Sequence, residues 1–205
     1  MKFTDLTLEK FTRLLASSSP TPGGGTCSAL DALLGASFIA MVARISAQKG
    51  DFDDAEDREK NLVRIADEAE RLRLLFLRVI DEDSAAYDRF AAAKPGPQAH
   101  AALRGCLNPP FELLEGAAAA LNLGRELLER YYLPTASDLG LAALNLKTAA
   151  RGAFLTVNIN LRCGKDGAFT PKETLAYRQK SSALLEEAET LAKEIYDSVK
   201  NYVES

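Results

Sequence analysis

The chain has 205 residues, with 25 Lys and Arg against 29 Asp and Glu, one histidine and three cysteines. That length fits one domain with a sizeable core, and a slight acidic excess, with basic residues alternating with acids along helical faces, argues against a nucleic-acid partner. Cys27, Cys106 and Cys163 are odd in number, widely spaced and free of a C-x-x-C pair, so neither a disulfide framework nor a structural zinc site is expected.

In chain order, Leu6 to Ala16, Thr26 to Gln48, Asp54 to Ala93, Asn108 to Tyr131, Ser137 to Cys163 and Pro171 to Val203 are rich in Ala, Leu, Glu, Arg and Lys. They lack the alternation of half-buried strands, which predicts an all-α bundle of about six main helices with long central ones, in a single domain over residues 1–205. Asp53 to Glu56 and Thr170 to Glu173 have capping-box spacing, the second with Pro171 at the first helical position. Lys94 to Gly105 and Leu133 to Thr135 read as loops, and Gly164 to Gly167 as a turn. There is no N-terminal secretion signal, and the longest apolar stretch, Ala32 to Ala43, is too short to span a bilayer; a cytoplasmic protein with no membrane partner is expected.

Between the first two helices lies Ser19-Pro20-Thr21-Pro22-Gly23-Gly24-Gly25-Thr26. Two prolines fix φ, while three glycines permit positive φ and close backbone approach, so the turn is placed to expose amides to a ligand at the following helix start. A tight interhelical linker fits the same spacing, for the run is neither a dinucleotide fingerprint nor a P-loop. The helix that follows is apolar on nearly all sides from Ala29 to Ile45 and must be buried centrally or at a subunit contact; we favour a homo-oligomer, with a monomeric bundle as the alternative.

The next helix carries Leu62, Ile65, Ala69, Leu72, Phe76, Val79, Ile80, Tyr87 and Phe90 as an apolar stripe, and Asp83 sits on it. Burial costs such a carboxylate free energy and raises its pKa, which suits it to proton transfer near neutrality; tying down a neighbouring helix is the competing role. Asp81 and Glu82 lie to the side and are expected to face water. Farther on, Pro134 to Asp138 supplies a helix N-cap, and Asn158 and Asn160 sit among apolar residues where they need partners. Arg151 and Arg162, with Lys49 after the first long helix, could meet a carboxylate, and a solvated charged face is the competing reading for each of them. His100 has no visible metal or triad partners, and Cys27, though near a helix start, has no evident base.

Taken together, Phe11 to Ala16 followed by the proline-triglycine turn, the Ala/Leu/Gly helix ending Met41-Val42-Ala43, Asp83-Ser84-Ala85-Ala86-Tyr87, Asn108-Pro109-Pro110, Ser137-Asp138 and Asn158-x-Asn160-Leu161 resemble the cyclodeaminase/cyclohydrolase family of folate enzymes. The Lys94 to Gly105 loop and Asn108-Pro109-Pro110 depart from that pattern. The resemblance implies an all-helical homodimer acting on a tetrahydrofolate derivative, with no cofactor beyond that substrate. One family reaction closes 5-formiminotetrahydrofolate to 5,10-methenyltetrahydrofolate with loss of ammonia; the other hydrates the methenyl bridge to 10-formyltetrahydrofolate. In bifunctional members a formiminotransferase domain precedes this region, and the 205 residues here are filled without it. The implied roles are Asp83 as proton shuttle, Pro20, Thr21, Pro22, Gly23, Gly24, Gly25 and Thr26 as the cradle for the pterin or its bridge, Asp138, Asn158 and Asn160 as a polar wall, and Lys49 as partner of a glutamate carboxylate. A folate-binding or interaction module without turnover is the reading from another class.

Overall fold

The computed structural model describes residues 2–49, 55–164 and 167–205. Its helices are α1 Leu8–Leu15, α2 Gly24–Lys49, α3 Ala55–Ala92, α4 Pro97–Gly105, α5 Asn108–Leu127, α6 Ala136–Cys163 and α7 Pro171–Glu204, with single 3-10 turns at Phe3–Asp5 and Leu133–Thr135. No strand occurs among the described residues, and the all-α bundle with long central helices is what forms. The capping box expected from Asp53 falls partly outside the described residues.

The local signals act where their chemistry places them. Thr170 accepts from the Glu173 amide at 3.2 Å, and Glu173 Oε2 accepts from the Thr170 amide at 2.8 Å, which closes the box that starts α7. Arg104 of α4 adds a 2.7 Å bond to Glu173, and these donors hold that carboxyl down to about 2. The Lys94 to Gly105 segment differs from its reading as a loop: α4 fills most of it. Gly96, at φ +102°, makes the turn, and Pro97 opens the helix where its missing N–H costs nothing. Asp81 also differs from its solvent-facing assignment, for its carboxylate accepts from the Phe3 amide at 2.6 Å and the Thr4 hydroxyl at 2.7 Å and so pins the first turn to α3.

The core centres on α2, which packs most extensively against α3 and α6. Ala29, Ala32, Ala36, Ile39, Ala40 and Ala43 are buried, so small side chains let the neighbouring backbones approach. By length and composition α2 matches a membrane span, but 56% of its most apolar window is buried in the bundle, as in a core helix. Larger residues fill the remaining layer. Phe76, Leu121, Leu139, Leu146 and Ile195 are fully buried, each contributing about 1.5–3 kcal/mol by leaving water.

α2 and α6 run antiparallel, and this fixes which residues can share a site. Ser28 lies against Gly152, whereas Ser46 Oγ accepts from the Tyr132 amide at 2.7 Å just before α6 begins. The start of α2 therefore meets the later half of α6, and the end of α2 meets its beginning.

Candidate active site

At the end of the bundle where α2 starts, a cavity of about 790 Å³ opens between α2, α3, α4, α6 and α7. That volume suits a small organic ligand. Asp83 lies on it together with Gly23, Gly24 and Gly25, Tyr87 and Phe90 from α3, Leu103 and Cys106, Asn158 and Asn160 of α6, and Arg178 of α7.

The helix geometry explains how Asp83 comes to face the glycine turn. Helix α2 begins at Gly24, two residues before the expected start, so its first N–H groups have no partner within the helix. The Asp83 side chain reaches across from α3 and accepts from the Thr26 hydroxyl at 3.0 Å and from the Thr26 backbone. Because Thr26 spends its only hydroxyl proton on Asp83, the 2.8 Å contact with Ser84 Oγ is donated by Ser84. The carboxylate thus ties α3 to the N-terminus of α2 and also borders the cavity: both roles considered from sequence meet in one residue. Burial pushes its pKa above the ordinary carboxylate value, and the Thr26 bonds pull partly the other way.

The triglycine works through space and not through unusual dihedrals. The positive φ values among glycines fall at Gly96 and Gly167, so the expectation of positive φ in the turn is corrected. A Cβ on Gly25 would stand 2.3 Å from Asp83 Oδ1, which leaves glycine as the one residue that fits beside that carboxylate. Upstream, the Thr21–Pro22 peptide is cis and Pro22 is buried, while Pro20 and Thr21 line the cavity.

Two residues assigned to the site lie elsewhere in the same chain. Lys49 is exposed at the far end of α2, about 36 Å from Gly25 by helical rise. Asp138 sits in the first turn of α6, about 30 Å from Asn158. It is not an N-cap, since that position falls to Thr135, whose hydroxyl donates to Tyr132 O at 2.7 Å. Asn158 and Asn160 do line the cavity. Their amide nitrogens donate to Phe154 O at 2.9 Å and Cys106 O at 2.8 Å, so each keeps a side-chain oxygen without a partner among the described residues. Arg151 is held by Glu189 on α7 at 2.6 Å.

Other chemistries find little support in these surroundings. Cys27 has its thiol pushed up by burial and by Asp31 and Asp83, the reverse of an activated nucleophile, and burial drives Cys106 up to about 11. Among the described residues no three His, Cys, Asp or Glu side chains gather to hold a metal. Residues that the sequence reading did not assign also border the cavity: Ser28, Leu103, Cys106, Leu155, Ile159 and Arg178. Leu155 and Ile159 were legible as the apolar flank of Asn158, but Leu103 and Arg178 arrive through tertiary packing.

The Thr26 bond yields a measurable consequence. Thr26→Val removes a donor to the charged form of Asp83, which raises the carboxyl pKa further. An acid limb in kcat/KM set by Asp83 is expected to move to higher pH in this variant; a limb that stays put or moves down would contradict the assignment.

The sequence pattern of the formiminotransferase-cyclodeaminase family matches residues 7–179. The chain is 28% identical over 209 residues to the methenyltetrahydrofolate cyclohydrolase of Methylorubrum extorquens, covering 96% of this chain and 97% of that one. To the formimidoyltransferase-cyclodeaminase of Rattus norvegicus it is 30% identical over 200 residues, 92% of this chain but 36% of the rat protein, so it spans little more than a third of that relative. Its fold superposes on formiminotetrahydrofolate cyclodeaminase from Thermotoga maritima with a TM-score of 0.80 over 98% of this chain and 96% of that one; at 24% identity this likeness speaks for the fold. The matched region holds the glycine turn, Asp83 and both asparagines, and the chain belongs to the formiminotransferase-cyclodeaminase family.

Proposed function

We propose that the protein is a folate one-carbon enzyme that converts 5-formiminotetrahydrofolate to 5,10-methenyltetrahydrofolate and ammonia. The observation that carries this reading is Asp83, a carboxylate of raised pKa at a helix N-terminus beside a glycine that leaves its face open to the cavity. Ring closure requires N10 to attack the formimino carbon, lose its proton, and see that proton reach the departing nitrogen. With the formimino nitrogen already protonated, one carboxylate can take the proton from N10 and return it to the leaving amine, so that ammonia departs and the C–N10 bond remains. Its negative charge also favours the amidinium-like cation that forms. The amides at the start of α2 suit the electron-rich edge of a pterin, and the Asn158 and Asn160 oxygens, farther along α6, suit N–H groups beyond the pterin.

Methenyl hydrolysis is the second reading, favoured by the relative of nearly equal length whose name is methenyltetrahydrofolate cyclohydrolase. There Asp83 would take a proton from water as it adds to the bridge carbon and deliver it to N5 as the C–N5 bond breaks, the remaining hydroxyl proton leaving to solvent as the formyl C=O forms. Either reaction needs no cofactor beyond the folate. We further propose a cytoplasmic homodimer. Leu141 and Leu144 are exposed on the face of α6 opposite its core side, and Leu34 is exposed on neighbouring α2, an apolar surface that a second copy would cover.

The test gives purified protein 5-formiminotetrahydrofolate and follows methenyl absorbance and ammonia in one tube. Both are expected to rise together above the protein-free control. If neither rises while added methenyltetrahydrofolate is consumed faster than its spontaneous hydrolysis, the second reading replaces the first; inertness toward both rejects the enzyme assignment.

A further inference from the structure

We propose that Arg162 and Arg178 form a paired carboxylate receptor at the exposed end of the cavity and select the anionic glutamyl tail of the folate; this rests on the folate reading above. Both line the cavity, one near the end of α6 and the other on α7, and both are exposed. The pattern of charge argues for a ligand with two different ends. Among the described lining residues Asp83 is the one carboxylate, and the two arginines are the cations. Tyr87, Phe90, Leu103, Leu155 and Ile159 supply apolar and aromatic wall around the same cavity. A molecule with a nitrogen-rich head, an aromatic body and an acidic tail matches that set of groups.

Neither guanidinium has an ion pair among the described residues, whereas Arg73, Arg78 and Arg104 are each held by a carboxylate. Arg73 is held by Glu70 at 2.6 Å, Arg78 by Glu82 and by Glu112 at 2.5 Å, and Arg104 by Glu173 at 2.7 Å. An unspent guanidinium at a cavity rim presents a planar fork to an incoming carboxylate. Spacing along α6 agrees. From Gly152, which abuts Ser28 in the first turns of α2, to Arg162 the helix rises about 15 Å, enough to place a benzoyl ring between the glycine turn and the arginines. These two residues, and not the distant Lys49, are the cations that line this cavity.

The test compares equilibrium binding of tetrahydrofolate with that of tetrahydropteroate, which lacks the glutamate, in the wild type, Arg162→Gln, Arg178→Gln and the double variant. The wild type is expected to prefer the glutamyl compound, each substitution to weaken it about tenfold, and the double variant to lose the preference, with tetrahydropteroate affinity held in all four. Variants whose preference equals that of the wild type would overturn the receptor, as would equal affinity of the wild type for both compounds. Failure of the wild type to bind either compound would instead overturn the folate reading beneath it. An equal loss for both compounds in a variant would point to damaged structure and also count against selection of the tail.

Discussion

Asp83→Asn is expected to lower turnover by about 100- to 10,000-fold, the range associated with removing a positioned acid or base. Asparagine keeps an oxygen that can accept from Thr26 and occupies nearly the same volume, but it cannot carry a proton between N10 and a leaving amine. Stability separates this loss from collapse of the fold. The folded-state pKa of Asp83 is raised above the ordinary value, so the folded protein binds the proton more tightly than the unfolded chain does. Below the unfolded pKa this group carries no charge penalty in either state, and as pH rises through the folded pKa it destabilises the native protein. The wild type bears that penalty to the extent that Asp83 is ionised in the folded protein, and the asparagine variant bears none. Thermal unfolding at pH 7 is therefore expected at an equal or higher temperature in Asp83→Asn, beside the loss of turnover. Full turnover in the variant would reduce Asp83 to a tie between α2 and α3.

Gly25→Ala is expected to be almost as damaging, by displacing the same carboxylate. The new methyl would stand 2.3 Å from Oδ1, 2.7 Å from Cγ and 2.7 Å from Oδ2 of Asp83, distances at which a short side chain must swing away. Thr26 donates to that carboxylate at 3.0 Å, and displacing Asp83 breaks the bond that orients it. A fall in kcat of about 100-fold or more follows if proton transfer depends on this geometry. A double-mutant cycle identifies the route. Once Asp83 is asparagine there is no proton shuttle left to misplace, so adding Gly25→Ala should cost much less turnover than it does in the wild type. Fully additive losses would mean that the glycine acts on the ligand directly.

Much of the fold was legible because helical periodicity and caps are local. The Thr170 to Glu173 box starts α7 where its side chains reach its own backbone, and Asp83 stands out on an apolar stripe whatever packs against it. The site was legible to the extent that its parts are consecutive in sequence, as in the Pro20 to Thr26 turn. What escaped depends on how helices are arranged in space. Lys49 and Asp138 belong to the same two helices as Gly25 and Asn158, but the antiparallel packing of α2 on α6 carries both to the opposite end of the bundle. Nothing in the residues from Lys49 to Asp138 encodes that direction. Arg178 had the opposite fate, since an exposed arginine on an amphipathic helix looks like any solvated charge until α7 brings it to the cavity. For α4 the signal was present: Pro97 at a first helical position, followed by Gln98 to Arg104, reads as a helix start once Gly96 is taken as the turn. Tyr87 and Phe90 continue the α3 stripe by periodicity, but they leave the core and line the cavity because the stripe outlasts the bundle that covers it.

The measurement that bears most directly on the role of Asp83 is the pH dependence of methenyl formation in a single turnover, with enzyme in excess over 5-formiminotetrahydrofolate, for the wild type and Asp83→Asn side by side. The expected result is a wild-type rate that falls on acidification with an apparent pKa above the ordinary carboxylate value, and a much slower variant in which that limb is gone. A wild-type rate flat through that range, or the same acid limb retained in Asp83→Asn, would contradict the assignment of the proton to Asp83.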